Sequence, residues 1–438
     1  MSIDERVPPL AFSRRRFMRT GLIAAAAAPS LSAFARTSSF PVGQEGSEEQ
    51  TLPDFTGPEP NPYWNGAGPL VTEPQKAPLI LLTDRPVQLE TPRHYFLNAF
   101  TPNEAFYVRW HLETLPNAVD LKDWRLQVEG NVNKPLTLSF SDLLTRFKPV
   151  SVAAVNQCSG NSRSRFQPRV AGGQWGSGAM GNALWMGVRL RDILAAAGEK
   201  NGSLQVQFEG LDRGLGPVGF GSNRFMKSLD LSNSAIDEAI IAFAMNDEPL
   251  PMLNGFPIRL IVPGYFATYW VKSLTNIRLL DKIDDNFWMK TAYRIPDTPG
   301  GTTTPEEFKT GKVPTVPIAR MPVRSFLISP DGSTKIPAGL PVQLKGIAFS
   351  GYGGVKKVEI SDDNGATWKD AHLGEDFGAY SFRTWSFSWT PKRPAIYQIA
   401  VRATDEKGNI QPDKNVWNAS GYMWNKIERN EITVGRAS

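Results

Sequence analysis

Hydrophobic and polar positions alternate in short runs over most of this chain, and the period changes wherever Pro and Gly accumulate. "FYVRWHL" and "WRLQVEG" have the composition of half-buried strands, whereas "SFSDLLTRF" and "VRLRDILAAAG" carry helix caps and helical spacing of their apolar residues. A Ser234/Asp237 capping box opens "SAIDEAIIAFAMN" and predicts a helix start there. "FPIRLIVPG" is a β-rich run ended by Pro263 and Gly264. Strands and helices mix without a regular βαβ alternation, so the pattern predicts an α+β domain over residues 76–310.

Pro, Gly and Thr rise again between about 296 and 324, which places a linker at 311–324. Beyond it, "LPVQLKGIAF", "VKKVEISDD", "YSFRTWSFSWTP" and "AIYQIAVRATD" alternate as strands between turn residues such as Asp363-Asn364-Gly365. That pattern predicts an all-β, immunoglobulin-like sandwich over 325–438. At the other end, residues 36–75 are rich in Pro, Gly, Ser and acid and read as an extended arm. The first 35 residues place consecutive arginines before a short apolar stretch and an A-x-A site at Ala33 to Ala35, the features of a twin-arginine export signal. Its apolar core is too short to anchor the mature chain, so no membrane span is expected there, and the destination is the periplasm.

With 41% hydrophobic and 21% charged residues the chain can bury substantial cores. The formal charge of +5 falls to about +2 once the signal is removed, because five arginines leave with Asp4 and Glu5, and nothing in that balance calls for nucleic acid. One cysteine excludes an intramolecular disulfide, a CxxCH haem attachment and any iron–sulfur or zinc site needing two thiolates. Three histidines, His94, His111 and His372, do not make a polyhistidine cage.

The one thiol, Cys158, follows the β-branched and small run Val150 to Val155, so it stands at a strand's end, where ligands bind. Gly160 would allow close backbone approach, and Arg163 and Arg165 would supply positive charge. A thiolate can hold a soft or high-valent metal whose other ligands come from a small molecule. The residues alone leave alternatives open: a packing cysteine, a cysteine hydrolase pairing Cys158 with His111, or a non-catalytic β-sandwich binding protein.

Five stretches in order resemble one family from about residue 80 to 430. They are "FYVRWHL", "NQCSGNSRSRF", "GGQWGSGAMGNALWMGVRLRDIL", "AMNDEPLPMLNGFPIRLIVPG" with "YWVKSL", and "VWNASGY". The chain resembles the molybdenum-dependent sulfite oxidases and sulfite dehydrogenases. The resemblance implies that Cys158 ligates the metal of a molybdenum–molybdopterin cofactor with one dithiolene pterin. It implies that Arg109 and Arg163 bind sulfite and that Trp175 walls the pocket. His111 would contact the cofactor, and Arg189 and Lys272, joined by Arg224 and Lys227, would bind the pterin or its phosphate. His94 and His372 match nothing in the family.

Two positions depart from the family pattern. Phe243 stands where a tyrosine near the metal is expected, so its hydroxyl is either lost or supplied from elsewhere, such as Tyr265 or Tyr269, and Ser420 stands where many relatives carry an arginine. The implied reaction is oxidation of sulfite to sulfate. With no haem or iron–sulfur site in this chain, electrons would pass to a periplasmic c-type cytochrome. The sandwich resembles a dimerisation domain, implying a homodimer or a heterodimer with a cytochrome subunit. Sulfane sulfur dehydrogenase and sulfoxide reductase are the related alternatives.

Overall fold

Three sheets build the first half of the molecule, and the thiol stands where one of them ends. In this computed structural model residues 70, 71, 73, 75–214, 224–332, 334–414 and 416–436 are described. The export signal at 1–35 and most of the arm at 36–75 lie outside them. The central antiparallel sheet runs Glu248–Pro249, Ile240–Met245, Met180–Arg189, Pro149–Gln157, with Arg259–Ile261 also paired to Ile240–Met245. A second sheet has the order Arg224–Asp230, Gln205–Arg213, Leu274–Leu280, Leu126–Gly130, Leu136–Leu138, with one parallel pair, Leu274–Leu280 against Leu126–Gly130. The third is an antiparallel meander of Leu70–Val71, Leu79–Asp84, Val87–Glu90 and Val108–Arg109.

The two helix readings around residues 140 and 190 hold. Phe140–Arg146 is capped by a reciprocal Ser139/Asp142 box, and Leu190–Ala197 ends at Gly198, whose positive φ of 69° lets its N–H reach the carbonyls of Leu194 and Ala195. The Ser234 reading holds for the helix start but not for the capping box. Ser234 makes no side-chain cap, the helix spans only Ala235–Glu238, and the chain becomes the strand Ile240–Met245, buried at every position. Burial between neighbouring strands overrides a local cap, because "IIAFAM" has no polar face for a surface helix to expose.

Beyond residue 324 two antiparallel-rich sheets face each other. One orders Arg324–Ser329, Val342–Phe349, Arg383–Trp389, His372–Leu373; the other Ile336–Pro337, Glu428–Gly435, Ala395–Asp405, Val355–Ser361, Lys369–Asp370. Leu344, Val358, Trp385, Ile399 and Val401 fill the space between them. The expected linker at 311–324 is more ordered than its composition suggests. Thr315–Pro317 pairs with Arg294–Pro296, and Ile318 and Met321 are wholly buried. Phe326, Ile347, Phe349 and Phe382 of the sandwich extend the core of the first domain, so the two halves share one apolar interior.

That interior also holds charge. The side chains of Arg324 and Glu428 are each 1% exposed and 2.8 Å apart, with Arg165 3.2 Å from the same carboxylate. Burial alone would raise the Glu428 carboxyl, but Arg165, Arg324 and Arg93 outweigh it and hold the group at about 2. A depressed folded value means stability that is complete above the unfolded value and lost as pH falls through the folded one. The melting temperature should therefore fall as pH drops from about 4.5 toward 2, with a shallower slope in Glu428→Gln, both read by thermal denaturation.

Gly187 sets a second constraint, since a Cβ there would collide with the Ile241 carbonyl across the central sheet. Gly187→Ala should cost about 1–3 kcal/mol through forced strand separation, measured by urea denaturation.

Candidate active site around Cys158

Cys158 is the first residue past strand Pro149–Gln157, and its N–H donates to the Ala179 carbonyl at 2.9 Å. The loop that follows folds on itself: Asn161 N–H donates to the Cys158 carbonyl at 3.0 Å, and the Asn161 side chain accepts from Ala179 N–H at 3.0 Å and donates to Gln157 at 3.1 Å. Behind it, the Glu90 carboxylate accepts the N–H groups of Gly176 and Gly178 at 2.8 and 2.7 Å. A Cβ on Gly178 would strike the Thr91 carbonyl, so this turn can approach the neighbouring strand only as glycine.

The thiol faces a pocket walled by Tyr107, Arg109, His111, Asn156, Asn254, Arg259, Thr268, Lys272 and Tyr293. Several of its polar atoms are buried without a hydrogen-bonding partner among the described residues: Arg109 Nη1, Asn156 Nδ2, Arg259 Nε and the hydroxyls of Ser159 and Thr268. Unpaired buried donors are costly and mark a place prepared for acceptors. Lys272 Nζ donates to the Arg109 carbonyl at 2.8 Å and lies 4.5 Å from the Trp110 ring; burial, then Arg259, lowers it to about 7.

Protonation in the pocket follows from burial and from this positive charge. Burial, with Arg109, Lys272 and Lys227, drives His111 well below the usual imidazole range, so the ring is neutral. Burial raises the Tyr293 phenol, which therefore keeps its proton. Tyr293 Oη and His111 Nε2 are 2.6 Å apart and share one hydrogen bond, whose direction follows the imidazole tautomer. The His111 ring stacks on Phe225 at 3.5 Å, which fixes its plane. Tyr107 donates to Asn156 Oδ1 at 2.6 Å, turning the amide nitrogen of Asn156 to its unpaired position.

Of the residues singled out from sequence, Cys158, Arg109, His111 and Lys272 line this one pocket. Lys227 lies behind it, donating to the Trp288 carbonyl at 2.7 Å with its ammonium 5.5 Å from the Tyr293 ring. Arg163 and Trp175 flank the thiol loop without lining the pocket. Arg163 donates to the carbonyls of Gly173 and Ser420 at 3.0 and 3.3 Å and lies 5.3 Å from the Tyr422 ring, and Trp175 is core, 1% exposed. Arg224 pairs with Glu209 at 2.7 Å, half exposed, and Arg189 occupies the N-cap position of Leu190–Ala197 without a side-chain cap; neither is in the wall.

Phe243 sits on the buried strand Ile240–Met245 with its ring edge-on to Phe140, and it does not line the thiol pocket. The phenols that do are Tyr293 and Tyr107. Tyr265 and Tyr269 are engaged elsewhere, with Asn233 at 2.7 Å and the Ile318 carbonyl at 2.6 Å. Tyr107 was within reach of the sequence, since Tyr107, Arg109 and His111 share a face at a spacing of two. Asn254 and Arg259 flank the turn at Gly255 without any chemical motif, and Tyr293 enters from a stretch with positive φ, 56°, that no periodicity announces.

The oxidoreductase molybdopterin binding domain family matches residues 111–288, and the Mo-co oxidoreductase dimerisation domain family matches 315–435. The sulfite oxidase of Gallus gallus is 33% identical over 371 residues, covering 81% of this chain and 78% of that protein. The chain belongs to the sulfite oxidase family. The mitochondrial sulfite oxidase of Drosophila melanogaster is 33% identical over 391 residues, covering 84% of this chain and 65% of that protein, so the chain spans about two thirds of that relative's length. A nitrate reductase of Brassica napus is 30% identical over 77% of this chain and 39% of its own length. The sulfane dehydrogenase SoxCD of Paracoccus pantotrophus shares the fold, with a TM-score of 0.67 at 24% identity over 81% of this chain and 88% of that one.

Membership in the sulfite oxidase family makes this chain a molybdenum oxidoreductase with a molybdopterin-binding domain. The pocket fits such a group. Among the described residues no cluster of three or more His, Cys, Asp or Glu could hold a metal, so a metal at Cys158 must bring its remaining ligands with it. The unpaired donors beside the thiol suit an anionic, acceptor-rich molecule. One consequence is measurable: the His111 ring protons should not titrate between about pH 5 and 8, and an NMR titration showing an ordinary midpoint would refute the neutral assignment.

Proposed function

We propose that this chain is a periplasmic sulfite dehydrogenase, exported folded by the twin-arginine route, that oxidises sulfite to sulfate and passes electrons to a c-type cytochrome. The observation that carries the reading is a single thiol at the mouth of a pocket whose unpaired groups are almost all donors. A molybdenum centre held by Cys158 and one pterin dithiolene supplies oxygen-atom transfer and accepts two electrons.

The chain's own residues bind and orient. Cys158 provides the protein's sulfur ligand. Arg109 directs its free Nη1 to an oxygen of sulfite, leaving the sulfur lone pair unencumbered. Tyr293 supplies a protonated phenol whose direction is set by neutral His111, and Lys227 holds the Tyr293 ring from behind. Lys272, Arg259, Asn156 and Thr268 suit the pterin and its phosphate. Arg163 and Trp175 act by fixing the thiol loop, and we assign no contact to Arg189 or Arg224. The sandwich, matching a dimerisation family, supports a homodimer or a pairing with a cytochrome subunit.

The test is metal analysis of the purified protein with sulfite-dependent cytochrome c reduction, run beside nitrate, sulfoxide and sulfane sulfur substrates. Cys158→Ser should lose both molybdenum and turnover. Arg109→Gln should keep the metal and raise KM for sulfite about ten- to a hundredfold, the loss of one charged hydrogen bond. A Cys158→Ser protein with normal metal content and rate ends the proposal.

A further inference from the structure

The loop that carries the thiol is strained, and what restrains it comes from the other domain. Ser162 has φ 65° and ψ 26°, a left-handed conformation that a residue with a side chain keeps only when its surroundings impose it. Its N–H donates to the Gly176 carbonyl at 2.6 Å. Its hydroxyl receives Arg324 Nη2 at 2.7 Å and lies 3.2 Å from the Ser177 hydroxyl. Arg324 belongs to the first strand of the sandwich and is itself held by Glu428, from the sandwich's last strand. Glu428 also pairs with Arg165, at the far end of the same loop. One carboxylate thus faces two guanidinium groups, and both lead to the segment between Cys158 and Phe166.

We propose that Arg324 and Glu428 are positioning residues of the active site: acting through Ser162 and Arg165, they hold the Cys158 loop in the conformation that presents its thiol to the pocket. Other contacts across the same seam point the same way, since Met423 N–H donates to the Ser159 carbonyl at 3.2 Å and Ser420 offers its carbonyl to Arg163. The sandwich therefore completes the site as well as matching a dimerisation family. The catalytic consequence rests on Cys158 being the metal ligand; the loop restraint does not.

The effect of removing Glu428 follows from charge. Arg324, Arg165 and Arg93 all bear on this carboxylate, and without it three like charges remain in a buried space. Arg165, already 36% exposed, is the one able to swing to solvent, and it would take the end of the loop with it.

The experiment uses the full-length chain, prepared with and without molybdate, and reads alkylation of Cys158 by iodoacetamide in the cofactor-free form. Glu428→Gln and Arg324→Met should each raise the rate about tenfold or more, through freer local opening. Ser162→Ala, which leaves every charge in place and removes only the oxygen Arg324 reaches, should move it in the same direction and serves if the charge variants do not fold. In the molybdenum-loaded protein the same variants should lower metal content and kcat while KM for sulfite stays within about twofold, as expected of groups that do not touch substrate. Tyr380→Phe is the control: it deletes a 2.6 Å bond to Glu238 across the same seam, away from the loop. Alkylation unchanged in the folded variants, or raised as much by Tyr380→Phe at an equal loss of melting temperature, overturns the proposal. A chain with no molybdenum at all ends the sulfite dehydrogenase reading and leaves the alkylation result standing.

Discussion

Buried positive charge without matching negative charge is the constraint from which this site follows. Arg109, Arg259 and Lys272 converge on one pocket, Lys227 stands just behind, and Asp212 is the acidic group that counts against Lys272. Uncompensated buried cations are expensive, and proteins retain them where an anion binds. The lowered values of Lys227 and Lys272, both near 7, express that cost in the protein alone. An anionic occupant would reverse it, so binding and folding are linked here: whatever fills the pocket stabilises the native chain by mass action.

Arginines near the thiol look alike in sequence and have three different fates. Arg109 keeps a free nitrogen facing the pocket, Arg163 is committed to two backbone carbonyls, and Arg165 joins Arg324 on Glu428. Nothing in "NQCSGNSRSRF" separates the second from the third, because Ser420 and Glu428, the partners that distinguish them, lie more than 250 residues away along the chain. The glycines explain how Arg163 fits: a Cβ on Gly160, Gly172 or Gly421 would run into its guanidinium or its stem.

What the sequence made legible is what local physics controls. The cap at Ser139, the strand leading to Cys158, the shared face of Arg109 and His111 and the alternating C-terminal strands all follow from periodicity and turn chemistry. What escaped depends on contacts distant in sequence. Ser234 has the residues of a capping box, yet after one short helix, Ala235–Glu238, the chain is claimed by the central sheet at Ile240–Met245. The proline-rich stretch before residue 324 reads as a linker, yet Thr315–Pro317 finds a partner strand and Ile318 a core. Tyr293 lines the thiol pocket and lies in no motif, and Phe243 lies in a motif and sits on a buried strand outside the pocket wall.

Ser420 bears on how tightly the proposed site should hold its reactant and product. Where the family resemblance expects an arginine, this hydroxyl bonds to the Arg294 carbonyl, and with Arg163 on backbone oxygens the free guanidinium nitrogens in the pocket wall are those of Arg109 and Arg259. Sulfite near neutral pH and sulfate are both anions, so a further guanidinium would strengthen the binding of both. Binding that is equal for reactant and product lowers KM without speeding the chemical step, and it slows product departure. Selectivity between them must come from a feature that differs, and in the proposed pose that feature is the lone pair on sulfur, which Arg109 would leave exposed by binding oxygen. Under the proposed function, serine rather than arginine at position 420 would thus favour product release over affinity, from a C-terminal segment whose Ser420 carbonyl accepts from Arg163 of the thiol loop.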